Sequence, residues 1–338
     1  MKSPTRSNPI LLRRCLLVML VLAPLTLSSC GLFSSDGDGK PTPTSIAPPP
    51  EVDIAYGPVP GCPGPGSDDP CGGSQTLDIY RADGVDPKDS KSTDPRPVAL
   101  WIHGGGFIAG DKQGSLSRYY QPLLDDGWDI VAINYRLSKN GQNIFPTALG
   151  DVKRAVRWVK ANAAAQGWDA KAVAAIGHSA GGNLSEMLAV TGNDQALEPG
   201  DLPPELQAVD STVIAAIGVS AVSDMRTFMA TGYFTQAAHD YIGCAKGCDS
   251  LLDQSSVQTH VDGDSAPLFA LHGVDDPWAQ PSQGELVKDA YDKAGISDRF
   301  KLQIVSDGPK EFRSHDLDIE RWIGDIQDFL ESKLPSSS

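Results

Sequence analysis

What most restricts this chain is an alternation between two hydrophobic periods. Short, almost wholly apolar runs at residues 98–103, 130–134 and 173–176 are strand-length, while residues 148–165 repeat Val152, Ala155, Val156, Val159 and Ala163 at three- and four-residue spacing. A run apolar on both faces reads as a strand buried between two layers, and a 3.6-residue period reads as a helix packed on one side. Lys153, Arg154, Arg157 and Lys160 fall off that helical stripe. The pattern continues with strands at 212–219, 268–271 and 300–305 and helices at 283–294 and 317–330. Such order predicts an α/β fold with a mostly parallel sheet and helices on both faces. Two alternating runs, 52–56 and 76–80, suit edge strands and predict an antiparallel start.

Residues 221–264 break the pattern. They carry Met225, Phe228, Met229, Tyr233 and Phe234 with the pair Cys244 and Cys248, and are read as a small cap over a site; the other reading is a peripheral excursion with its own satellite core. Residues 51–334 otherwise form one domain of a size that open α/β sheets occupy as a unit.

The N-terminus has a different character. Lys2, Arg6, Arg13 and Arg14 precede an apolar stretch, 15–27, that is short for a membrane span, so residues 1–29 are expected to be an export signal. Leu27-Ser28-Ser29-Cys30 resembles a bacterial lipobox, which predicts a lipid on Cys30 and a protein held at the outer face of the bacterial cell membrane. An ordinary secretory cut nearby would leave it secreted, and Arg13-Arg14 leaves the export route open. Thirteen of the twenty residues 31–50 are Gly, Pro, Ser or Thr, so residues 30–50 are read as a flexible tether.

The formal charge is −15, and removal of the signal's four basic residues leaves 24 basic against 43 acidic. Phosphate backbones are repelled by such a surface, which excludes nucleic acid as a partner. Without Cys15 and Cys30, four cysteines remain, and in an exported chain they are expected to pair locally as Cys62/Cys71 and Cys244/Cys248. A zinc site is the alternative, but the spacings contain no paired C-x-x-C.

Chemistry concentrates at the ends of the expected strands. Gly177-His178-Ser179-Ala180-Gly181 follows the strand 173–176 and precedes a helix-compatible run, 183–190. That is the setting of a nucleophile elbow, in which a serine projects from a strained strand-to-helix turn and flanking glycines avoid collisions. His103-Gly104-Gly105-Gly106-Phe107 follows another strand, where the amides of Gly104, Gly105 or Gly106 could join that of Ala180 as donors to an oxyanion. In a chain order of serine, acid, histidine, His103 comes too early, His178 should point away from its serine neighbour, and His239, His260 and His272 precede the last strand or its loop. His315, in the loop before the last helix, is left as the base. The acid is expected after the strand 268–271, where Asp275 and Asp276 compete.

Together with Gly110-Asp111, Asn134-Tyr135-Arg136-Leu137 and Leu271-His272-Gly273-Val274-Asp275-Asp276-Pro277, these motifs make residues 52–330 resemble the bacterial esterase and lipase branch of the α/β-hydrolases with an HGGG oxyanion loop, related to hormone-sensitive lipases and arylesterases. The resemblance implies an α/β-hydrolase fold, a triad of Ser179, Asp276 and His315, small carboxylic esters as substrates, and no metal or organic cofactor. It selects Asp276 because the acid of such relatives stands four residues after the histidine of H-G-x-x-D. Phe107, Trp278, Tyr233 and Phe234 are the candidates for the substrate pocket. An amidase or peptidase using the same triad and a noncatalytic surface lipoprotein are the rival functions.

Overall fold

The computed structural model describes residues 51–57, 75–82, 94–114, 117–192, 194–232, 235–317 and 319–335. The export signal, the tether, Cys30, Cys62, Cys71, Tyr233 and Phe234 lie outside the described residues. The strands are β1 (Glu51–Ala55), β2 (Thr76–Tyr80), β3 (Arg96–Ile102), β4 (Asp129–Ile133), β5 (Trp168–His178), β6 (Ala216–Val219), β7 (Leu268–Gly273) and β8 (Phe300–Val305). They form one sheet in the order β1-β2-β4-β3-β5-β6-β7-β8. β1 with β2 and β2 with β4 are antiparallel, and every later pairing is parallel. The antiparallel start is therefore present, with one correction: β2 is an interior strand, wholly buried between β1 and β4. Its alternation is nominal, because even Asp78 is covered, beside the buried ammonium of Lys112.

The helices are α1 (Ser117–Asp125), α2 (Thr147–Gln166), α3 (Ala180–Thr191), α4 (Pro204–Gln207), α5 (Met225–Ala230), α6 (Thr235–Ile242), α7 (Asp249–Gln254), α8 (Ser282–Lys293) and α9 (Ile323–Glu331). Two apolar cores lie on the two faces of the sheet: one takes side chains from α2, α3 and α8, the other from α1 and α9. The stripe of α2 is Val152, Val156 and Val159, all fully buried, each contributing about 1.5–2 kcal/mol of transfer free energy. Gly167 ends that helix in the left-handed conformation, φ 67°, with its N–H on the Ala163 carbonyl.

The cations of α2 are not where its amphipathic pattern puts them. Lys153, Arg154 and Arg157 are buried, because residues 194–210 fold over that face and bring acceptors to it. Lys153 Nζ donates to the Thr191 carbonyl at 2.5 Å, Arg157 to Glu198 at 2.5 Å, and Arg154 pairs with Asp201. The stripe was read correctly, but a second layer on the opposite side is invisible to periodicity. Three boundaries also move. The strand expected at 212–219 begins at Ala216, that at 173–176 extends over Trp168–His178, and the helix expected from 317 becomes a 3-10 turn, Ile319–Arg321, followed by α9.

The described residues of 221–264 form short helices rather than a separate body. Met225, Phe228, Tyr241, Ile242 and Val257 belong to the same core as α2 and α3, so the satellite-core reading does not hold for the described residues. A disulfide joins Cys244 and Cys248, Cα–Cα 5.9 Å, just beyond α6.

Candidate active site

The sheet grows in opposite directions from β3 and β5, which are neighbours with Ile102 opposite Gly177. In open parallel sheets the crevice for a ligand forms at the carboxyl ends of the strands at such a point. Here a cavity of about 470 Å³ opens there, lined by His103, Gly104, Gly105, Gly106, His178, Ser179 and His315 among others.

Ser179 sits between β5 and α3 with φ 57° and ψ −118°, a conformation that L side chains seldom adopt. Its amide donates to the Val219 carbonyl at 2.9 Å and its carbonyl accepts from Asn183 at 3.1 Å, so strand and helix together hold the turn. Steric limits explain the flanking glycines. A Cβ on Gly177 would lie 2.0 Å from the Gly181 carbonyl oxygen, and one on Gly181 2.1 Å from that of Ile102. The first turn of α3 thus passes against β3 at a distance only glycine allows.

The triple-glycine loop passes the serine equally closely, since a Cβ on Gly104 would stand 3.2 Å from Ser179 Cβ and 2.9 Å from the His178 carbonyl oxygen. Gly105 and Gly106 have φ of 115° and 62°. His103 anchors this loop: it stacks on Tyr135 with ring centres 4.4 Å apart, its Nδ1 lies 2.7 Å from the Gly104 carbonyl oxygen, and the Tyr135 hydroxyl donates to its carbonyl at 2.9 Å. Burial pushes its pKa down to about 4, so its imidazole is neutral at pH 7.

On the other side, His315 Nδ1 is 2.8 Å from Asp276 Oδ2. The second oxygen of Asp276 accepts the amides of Trp278 at 2.8 Å and Ala279 at 3.0 Å. Burial alone would raise this carboxyl, but the His315 bond, the charge of its ring and the two amides hold it below the ordinary aspartate value. Asp275 faces elsewhere, in an ion pair of 2.7 Å with Arg313, both side chains about one-third exposed. His272 is buried at the end of β7 with Nδ1 3.1 Å from the Ala279 carbonyl oxygen, and burial lowers it to about 4.

Of the pocket candidates, Trp278 lines the cavity and meets the His315 ring edge-on at 4.7 Å between centres. Phe107 also lines it, yet its ring is fully buried and stacked on Tyr241 at 3.7 Å, which makes it a fixed wall. Val222, Phe228, Ile108 and Asp111 also line it, without any motif that marks them as pocket residues. Phe228 was visible only as one of several aromatics between 221 and 264, and nothing in its local pattern separates a wall residue from a core residue. His178, expected to point away from Ser179, lines the cavity and lies against the His315 ring, centres 4.9 Å apart.

A strained serine in an elbow, a glycine loop beside it and a carboxylate-held imidazole are the arrangement of the α/β-hydrolase type. Residues 77–291 match the BD-FAE family, and the chain belongs to that family, on the esterase branch of this fold. Among curated relatives it is 34% identical over 216 residues to "Probable carboxylic ester hydrolase LipM" of Mycobacterium tuberculosis, covering 61% of this chain and 46% of that protein. It is 29% identical to "Esterase LipQ" of the same organism, covering 68% of this chain and 52% of that one. The chain therefore spans about half the length of these relatives. A truncated carbohydrate esterase from gut microbiota superposes with a TM-score of 0.66 at 23% identity, over 83% of this chain and 95% of that one, a likeness of fold.

Proposed function

We propose that this chain is a serine carboxylesterase acting on small carboxylic esters. The observation that carries the reading is the Asp276–His315 pair, 2.8 Å, in the same cavity as the elbow serine Ser179. In this reading His315 takes the Ser179 proton as Oγ attacks the ester carbonyl, and the tetrahedral oxyanion accepts hydrogen bonds from the amides of the Gly104, Gly105 and Gly106 loop and of Ala180. The imidazolium then gives its proton to the leaving alcohol, forming an acyl-enzyme. Water activated by the same imidazole releases the acid. Asp276 keeps the proton on Nδ1, so that Nε2 is the basic nitrogen, and its carboxylate favours the imidazolium.

The cavity supports short acyl or aryl esters: about 470 Å³ in volume, with Val222, Phe228, Phe107 and Trp278 as apolar walls. The sequence of residues 1–50 supports an exported protein tethered by a lipid on Cys30. Incorporation of a labelled fatty acid that is lost in Cys30→Ala would support the anchor.

The activity is tested with p-nitrophenyl esters from acetate to decanoate on the wild type, Ser179→Ala and His315→Ala. Turnover of the short esters that disappears in both variants, with unfolding midpoints retained, is the expected result. Turnover by Ser179→Ala at a comparable rate removes the serine from its role.

A further inference from the structure

The backbone carbonyl of His315 is held by two side chains from different strands. His178 Nε2 lies 3.1 Å from it at the end of β5, and the Ser220 hydroxyl donates to it at 2.8 Å from just beyond β6. A carbonyl oxygen only accepts, so the His178 proton sits on Nε2. We propose that His178 and Ser220 form a clamp on this carbonyl that sets the position of the His315 imidazole, an inference that rests on His315 being the base.

Three observations support it. Ser220 is fully buried and has φ 46°, a strained value for a residue with a side chain, although its amide is ordinarily bonded to the Leu271 carbonyl at 2.8 Å. Glycine would adopt that backbone without strain; only the hydroxyl distinguishes serine there. His178 precedes Ser179 directly, and its Nδ1 would be 3.3 Å from a Cβ on Gly104, so the imidazole that bonds the base's carbonyl stands beside the glycine loop and next to the elbow serine in the chain. Finally, Asp276 fixes the ring of His315 at Nδ1 while the clamp fixes its backbone, and two anchors on opposite sides of Cα leave the side chain little freedom to rotate. Reacting groups displaced by about 1 Å lose on the order of a hundredfold in rate. His178 and Ser220 are thus positioning residues, acting through His315.

The test separates positioning from mere support of the fold, because Ser220→Gly relieves backbone strain while removing the donor. In the full chain, Ser220→Gly is expected to keep or raise the thermal midpoint, lower kcat on p-nitrophenyl butyrate about tenfold or more, and leave KM within about twofold. Labelling of Ser179 by a fluorophosphonate should slow by the same factor. His178→Leu should lose a similar factor and His178→Gln, which restores an N–H, should recover most of it. The double variant Ser220→Gly/His178→Leu should lose more than the product of the two single losses, because only then is the buried carbonyl left without either donor. Wild-type kcat in Ser220→Gly, or losses that track the thermal midpoint, would overturn the clamp. Ser179→Ala and His315→Ala, measured alongside, keep the two readings apart: if both are inactive while Ser220→Gly and His178→Leu keep the wild-type kcat, the clamp fails alone; if either retains turnover, the underlying esterase mechanism fails first.

Discussion

Glu186 offers a sharp test of the core's electrostatics. It lies on α3, two turns beyond Ser179, with no exposed surface, and Gly218 on β6 makes room for it: a Cβ there would be 2.2 Å from Oε1. Oε2 accepts the Ser223 hydroxyl at 2.5 Å, while Oε1 has no hydrogen-bond partner among the described residues. Burial raises the carboxyl from 4.5 to about 8, against the opposing effect of the Ser223 bond. The unfolded chain releases this proton near 4.5 and the folded chain near 8, so between these values the folded state binds more protons and stability falls as pH rises. The contribution is fully present below about 4.5 and gone above about 8. Between pH 5 and pH 8 the linkage amounts to about 3 kcal/mol. Glu186→Gln keeps the shape and an acceptor for Ser223 but cannot titrate. Unfolding free energies from urea titrations at both pH values should show the wild type losing about 3 kcal/mol more than the variant, since other groups cancel in the comparison. Parallel losses in the two proteins would refute the argument and mean that Glu186 is ionised in the fold.

Further expectations concern the site and its surroundings. Asp276→Asn should lower kcat by about 10³–10⁴, since the amide cannot favour the imidazolium, whereas Asp275→Asn, which breaks only a partly exposed pair with Arg313, should change it less than about threefold; steady-state kinetics on one ester decide both. Gly104→Ala should lower kcat about a hundredfold or more with a small change in KM, because its methyl would displace the loop from Ser179, and a wild-type kcat would contradict the placement of the donors. His103 and His272, both lowered from 6.5 to about 4, bind protons more readily in the unfolded chain, so stability should fall as pH drops from about 6.5 to 4. Replacing His272 with Asn should flatten that slope by about 1.4 kcal/mol per pH unit near the middle of the window, as read from urea midpoints.

Much of the fold was legible because period and strand length are local properties. β2 and β8 fall on their expected residues, and α2 and α8 shift by about a residue at each end. The site motifs were legible for the same reason: a serine between close-packed glycines needs those neighbours whatever the rest of the chain does. Local pattern falls short where a partner comes from far along the chain. Lys153 and Arg154 are covered by residues some 40 positions later, and β2 is made interior by β1 beyond the loop that joins them.

Taken alone, the sequence determined which residues could do chemistry, since the elbow, the glycine loop and the histidine order each follow from short-range sterics and chain direction. It could not decide between Asp275 and Asp276 except by resemblance, and it gave no sign that His178 meets His315. Those matters rest on where the ends of β5, β6 and β7 come together: Asp276 lies within 2.8 Å of His315, Asp275 pairs with Arg313, and His178 reaches the carbonyl of a residue 137 positions away. Direction of a side chain in a turn depends on what the neighbouring strands place beside it, and only the assembled sheet supplies those neighbours.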